Sequence, residues 1–109
     1  MARKTLGDFE HQVLLAILRQ GGESYSVPIV LELEECGGRE VAQAAVFIAL
    51  QRLEKKGLLT SRLDDEAVAR TGRVRRYFKT TPLAMQRLRE SRRVLSRLWD
   101  GLEATLEEA

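Results

Sequence analysis

Apolar residues recur at helical spacing in four stretches of the chain, with one alternating segment set between the third and the fourth. Phe9, Val13, Leu14, Ile17 and Leu18 lie three and four apart, which predicts a first helix from Asp8. Asp8 and Glu10 stand in its first turn, where the helix dipole favours acids, and Gly21-Gly22 ends it. His11 lies beside that stripe and reads as structural. Glu23-Ser-Tyr-Ser26 opens a second helix: Ser24 or Ser26 can cap it, and Pro28 fits the first turn, where a missing N–H costs nothing. Ile29, Leu31, Leu33 and Cys36 carry its apolar content, and Gly37-Gly38 terminates it.

The third helix, Val41 to Lys56, has the sharpest pattern. At roughly 100° per residue, Ala42, Val46, Ala49, Leu50 and Leu53 share one side, while Ala44, Ile48, Gln51 and Lys55 point away. Gly57 stands where a helix C-terminus wants a left-handed residue. The outward face is unusual for a solvated helix, because its N-terminal half offers Gln43, Ala44, Phe47 and Ile48 where charges normally stand. Phe47 and Ile48 either pack under a neighbouring helix or meet a partner. Gln can read adenine edges and an apolar group can touch a thymine methyl, so duplex DNA is one such partner.

Leu58 to Leu63 and Val74 to Thr80 read as an antiparallel hairpin around the polar loop Asp64 to Gly72. A two-stranded hairpin is unstable alone and must pack on the helices. Packed there it forms a wing that brings Arg73, Arg75, Arg76 and Tyr77 towards the third helix, where guanidiniums can grip phosphates. A solvated edge strand protected by charge is the plainer alternative. From Pro82 the pattern predicts one long helix to the chain end, with Thr81 as its cap. Leu88, Leu95 and Leu102 are seven apart with Leu98 between them, the spacing of a helix–helix seam.

The chain has 109 residues, 44% hydrophobic and 31% charged, as expected of one soluble domain. A net charge of +2 is weak evidence for a nucleic-acid partner; its distribution says more. Arg70 to Lys79 holds five bases and no acid, whereas residues after Arg97 hold four acids and no base. That asymmetry implies a local positive patch. Cys36 is the one cysteine, which excludes an intramolecular disulfide or a multi-cysteine metal site, and it reads as a small buried or half-buried hydrophobe. With no long apolar run and no signal-peptide pattern, no membrane partner is expected and the cytoplasm is the default. One His, one Cys and no Gly-rich phosphate loop leave no set for acid–base or nucleophilic catalysis, so neither an enzyme nor a cofactor is expected.

Four pieces resemble the PadR family of bacterial transcriptional regulators: Leu6-Gly-Asp-Phe-Glu10 with Val13 to Leu18; Gly22-Glu-Ser-Tyr-Ser26 with Ile29; Val46 to Leu59; and Gly72 to Thr81. The resemblance implies a winged helix-turn-helix homodimer, joined through a single C-terminal helix together with the first one, that binds a palindromic operator and usually represses. By motif position it implies that Tyr25, Gln43, Ala44, Phe47, Gln51, Arg73 and Arg75 face double-stranded DNA. Phe47 stands where the family generally has Tyr, Ser26 replaces a usual Gly, and Ala84 occupies a position where Gly is common. Many members respond to small aromatic or hydrophobic compounds, in some through a tryptophan of the dimer helix. Trp99 is the one candidate here, with a plain interface anchor as the alternative role.

The fold expected is mainly α with a small β-hairpin: a winged helix-turn-helix DNA-binding domain over residues 1–81 and a long dimerisation helix over 82–109. A protein–protein interaction module built on the same exposed helix is the competing function.

Overall fold

The computed structural model describes residues 6–64, 66, 70, 72 and 74–108. Helix α1 (Asp8–Arg19) buries Val13, Leu14, Ala16 and Ile17. It closes with a left-handed glycine pair, Gly22 N–H bonding Ile17 O and Gly21 N–H bonding Leu18 O, each at 3.0 Å. This is the Schellman arrangement, and it turns the chain into β1 (Glu23–Ser24).

That strand corrects the sequence reading, which placed Glu23 to Ser26 at the opening of α2. Two residues are too few to show alternation, and β1 exists because β3 offers it a free edge. Ser24 is buried opposite Phe78 and bonds the Gln20 side chain, whose amide donates to Pro28 O at 2.8 Å. Helix α2 (Ser26–Gly37) follows directly, with Tyr25 at its N-cap and no side-chain capping bond, so neither serine caps it.

Helix α3 (Gln43–Lys55) starts two residues later than its apolar pattern. Ala42 becomes the exposed N-cap, while Val46, Ala49, Leu50 and Leu53 are buried as the periodicity requires. Gly57, at φ 78°, ends it in a second Schellman turn, Gly57 N–H to Glu54 O and Leu58 N–H to Leu53 O. The chain then enters β2 (Leu59–Leu63), which pairs antiparallel with β3 (Arg76–Thr80) from Leu59 opposite Thr80 to Leu63 opposite Arg76. The sheet therefore has three strands in the order β1-β3-β2, one more than the expected hairpin. Val74 and Arg75 fall outside β3, although Asp64 N–H still bonds Arg75 O at 2.8 Å.

The core joins Leu14 and Ile17 of α1, Ile29 of α2, Leu50 and Leu53 of α3, and Leu59 and Phe78 of the sheet. Lys56 Nζ reaches Glu10 of α1 and bonds Oε2 at 3.0 Å, tying the end of α3 to α1. Cys36, expected to be at least half buried, is exposed, with its thiol 3.8 Å from Glu32 Oε2. It sits in the last turn of α2, beyond the buried Leu33.

Helix α4 (Pro82–Trp99) is capped by Thr81, whose hydroxyl accepts from Ala84 N–H at 3.2 Å and donates to Gly57 O at 2.8 Å. Its first half enters the core through Ala84 and Leu88. The second half leaves the body, which explains a radius of gyration of 16.1 Å against about 13 Å for a compact chain of this length. The predicted helix to the chain end is interrupted. Asp100 is non-helical and Gly101 takes φ 83°, so α4 stops at Trp99 and a separate short helix, α5 (Glu103–Glu108), follows. The C-terminal segment is thus two helices rather than one, because Gly101 offers the left-handed conformation that Trp99-Asp100 cannot continue through.

Candidate nucleic-acid interface

The α3 surface anticipated as partner-facing is open to solvent. Phe47 is 47% exposed and Ile48 48%, so neither packs under a neighbouring helix within the chain. Gln43, Ala44 and Gln51 are exposed beside them. Gln43 Nε2 donates to Ser26 Oγ at 3.3 Å, which holds the first turn of α3 against the first turn of α2.

A groove of about 460 Å³ separates α2, α3 and the sheet; Tyr25, Ser26, Val27, Gln43, Phe47 and Arg75 line it, and Arg76 closes one side. Of the residues predicted from sequence, Tyr25, Gln43, Phe47 and Arg75 meet here. Gln51 lines a shallower depression further along α3 with Ile48 and Arg52. Ala44 is exposed on α3 but lines neither hollow. Arg73 lies outside the described residues. Trp99, 46% exposed, stands in the last turn of α4 and lines no part of this groove.

Two sets of contacts fix the basic side chains. On the sheet's inner side, Arg76 donates to Ser61 Oγ at 3.1 Å, and the Ser61 hydroxyl donates to Glu54 Oε2 at 2.6 Å, linking the wing to the last turns of α3. On the outer side, the Arg75 guanidinium lies 4.2 Å from the Tyr25 ring centre. Tyr25 meets Tyr77 edge to face at 5.3 Å, and Arg62 stacks on Tyr77 at 4.7 Å. Arg62 then forks onto Glu23, Nε to Oε2 at 3.0 Å and Nη2 to Oε1 at 3.2 Å.

Arg75 is charged at any ordinary pH, and the neighbouring Tyr77 side chain, followed by Tyr25, raises its pKa further. The bond from Arg62 holds the Glu23 carboxyl below its ordinary value, with the Arg62 and Lys79 charges adding to this and partial burial opposing it. A depressed carboxylate contributes stability above its unfolded-state pKa and loses it as pH falls through the lowered folded value, so the fork survives mild acidification. Glu23 and Arg62 were missed from the sequence. Their partnership depends on the β1-β3-β2 strand order, which no local pattern reveals.

Chemically, the groove offers the Gln43 amide, the aromatic rings of Tyr25 and Phe47 and the guanidinium of Arg75, a group whose planar fork suits an anion. Among the described residues no group of three His, Cys, Asp or Glu side chains is placed to hold a metal ion, and no helix is long and apolar enough to cross a membrane.

No curated protein sequence matches this chain. Solved structures do. A PadR family transcriptional regulator from Eggerthella lenta DSM 2243 is 27% identical over 89% of this chain and 82% of its own, with a TM-score of 0.68. The operator-DNA complex of Bacillus subtilis PadR is 19% identical, covers 75% of this chain and 45% of that one, and superposes at a TM-score of 0.63. Bordetella bronchiseptica BpsR, whose DNA binding is regulated by 6-hydroxynicotinic acid, is 22% identical over 90% of this chain and 64% of its own, at a TM-score of 0.58. At that level of identity the last two establish the winged-helix fold alone. Residues 14–90, running from the middle of α1 through α2, α3 and the sheet to half of α4, match the transcriptional regulator PadR-like family model. The chain belongs to the PadR-like family of transcriptional regulators, and not to a family of enzymes.

Proposed function

We propose that this regulator acts in the cytoplasm as a homodimer on double-stranded DNA, lays α3 in the major groove and represses from a palindromic operator. The observation that carries the reading is the groove in which Tyr25, Gln43, Phe47 and Arg75 meet beside an uncharged, exposed helix face. In this arrangement Arg75, Tyr25 and the wing residue Arg73 contact the backbone, while Gln43, Ala44, Phe47 and Gln51 meet base edges. The operator complex of Bacillus subtilis PadR supports the choice of DNA as partner.

Salt titration tests it. Each phosphate neutralised releases counterions and adds a slope of roughly 0.9 to the log–log salt dependence. Steep salt dependence is expected for a selected operator, with weaker binding to random duplex at low salt. Affinity indifferent to salt, or no binding to random duplex, would favour a protein-interaction module, the reading that the half-exposed Phe47 and Ile48 support.

Single substitutions divide the roles. Arg75→Ala is expected to weaken binding to all duplexes about equally. Gln43→Ala and Gln51→Ala are expected to relax preference at particular base pairs by roughly 1 to 3 kcal/mol each. A library of selected sites bound by each variant measures this, and uniform losses for both glutamines would move the reading face elsewhere.

The partner copy is assigned to α4 together with α1. Leu95, Leu98, Trp99 and Leu102 are exposed along the tail, and a concave surface lined by His11, Leu83, Ser91, Val94 and Leu95 joins α1 to α4. Trp99 is the residue proposed for a small aromatic ligand that releases the operator, an assignment supported by ligand control in BpsR. Saturable quenching of its fluorescence by an aromatic compound is the expected sign, and a plain anchor gives none.

A further inference from the structure

We propose that Glu23, Arg62 and Tyr77 are positioning residues for the DNA contact: without touching the duplex, they hold Arg75 and Tyr25 in the geometry that grips it. This rests on the DNA reading above and adds the part of the chain that prepares the grip.

The five side chains come from three stretches of the sequence and form one continuous chain of contacts on the sheet's outer face. Glu23 is on β1, Tyr25 at the start of α2, Arg62 on β2, Tyr77 on β3, and Arg75 just before β3. The order is carboxylate, guanidinium, ring, ring, guanidinium, with spacings of 3.0, 4.7, 5.3 and 4.2 Å. Only the last member, Arg75, lines the groove together with Tyr25. Glu23, Arg62 and Tyr77 stand outside the lining.

An unsupported arginine on a hairpin loses rotamer freedom when it docks on a phosphate, which lowers affinity. Here that freedom is already restricted. Tyr25 covers one face of the Arg75 guanidinium, and the Tyr77 ring meets Tyr25 edge to face from behind. Tyr77 is in turn fixed by Arg62, and Arg62 is fixed by a two-bond fork to Glu23. Planar stacking with bonding at the edges suits Arg and not Lys.

Glu23 gives the decisive test, because two accounts predict opposite signs. If the carboxylate is a bystander near a polyanion, Glu23→Gln removes a repulsive charge and DNA binding tightens. If it anchors the stack, binding weakens by about three- to tenfold, the entropy of about one re-mobilised long side chain. We expect the weakening, measured by fluorescence anisotropy on a selected operator at fixed salt with the full chain. The loss should shrink to nothing in an Arg75→Ala background, since Glu23 acts through Arg75. Tyr77→Leu, which leaves every charge in place, should behave the same way, and thermal melting of each variant verifies that it folds. Tighter or unchanged binding by Glu23→Gln, or losses that simply add to that of Arg75→Ala, overturns the positioning role while leaving the DNA reading intact. A wild-type chain that binds no duplex even at low salt overturns both.

Discussion

Leu95→Asp is expected to turn the protein into a monomer of 12.4 kDa that no longer holds its operator. Leu95 stands on the half of α4 that has left the body, 47% exposed, one turn before the exposed Leu98 and at the edge of the concave surface shared with α1. A seam of this kind is held by apolar burial, and a carboxylate placed in it must be desolvated in both copies at once. Two linked reading heads gain affinity from the effective concentration of the second, so separating them is expected to cost about a hundredfold or more on a palindromic site. Light scattering after size exclusion reads the mass, and anisotropy reads the affinity. Leu31→Asp, at a still more open leucine of α2, serves as the control and should change neither. If Leu95→Asp elutes at the wild-type mass and binds as tightly, the tail does not join two copies.

The second large effect concerns stability. Lys56→Met is expected to cost about 2 to 3 kcal/mol, less than for a fully buried pair because the lysine is partly solvated. Glu10, only 8% exposed, would be left on α1 without the ammonium that bonds its Oε2 at 3.0 Å. A drop of about 10 °C in melting temperature follows for a domain of this size. Adding Glu10→Gln should restore much of the loss, since a neutral amide removes the uncompensated charge. A single variant that melts with the wild type would show that solvent already satisfies Glu10.

The three core helices, the wing strands and the cap at Thr81 were legible in the sequence because each is set by local chemistry. Apolar spacing placed Val46, Leu50 and Leu53 inside, Gly57 stopped α3, and Thr81 with Pro82 started α4. The groove was legible as far as Tyr25, Gln43, Phe47 and Arg75. What escaped was non-local or too short to carry a period. β1 is two residues whose strand character comes from the edge of β3. The fork between Glu23 and Arg62 joins residues 39 apart and needs the strand order to be known. The interruption at Asp100-Gly101 was hidden by a leucine repeat that runs through it, and the periodicity outweighed the weak helix preference of a single glycine.

The Thr81 hydroxyl is a mechanical joint. By donating to Gly57 O and accepting from Ala84 N–H, it pins the last turn of α3 to the first turn of α4, and Thr81 N–H adds a bond to Leu58 O at 3.2 Å. The start of α4 is therefore anchored to the turn that ends α3. An 18-residue α4 is a lever about 27 Å long, so a tilt of roughly 5° displaces its free end by about 2 Å. A force applied at the far end of that lever is therefore borne at its base by the bonds of Thr81.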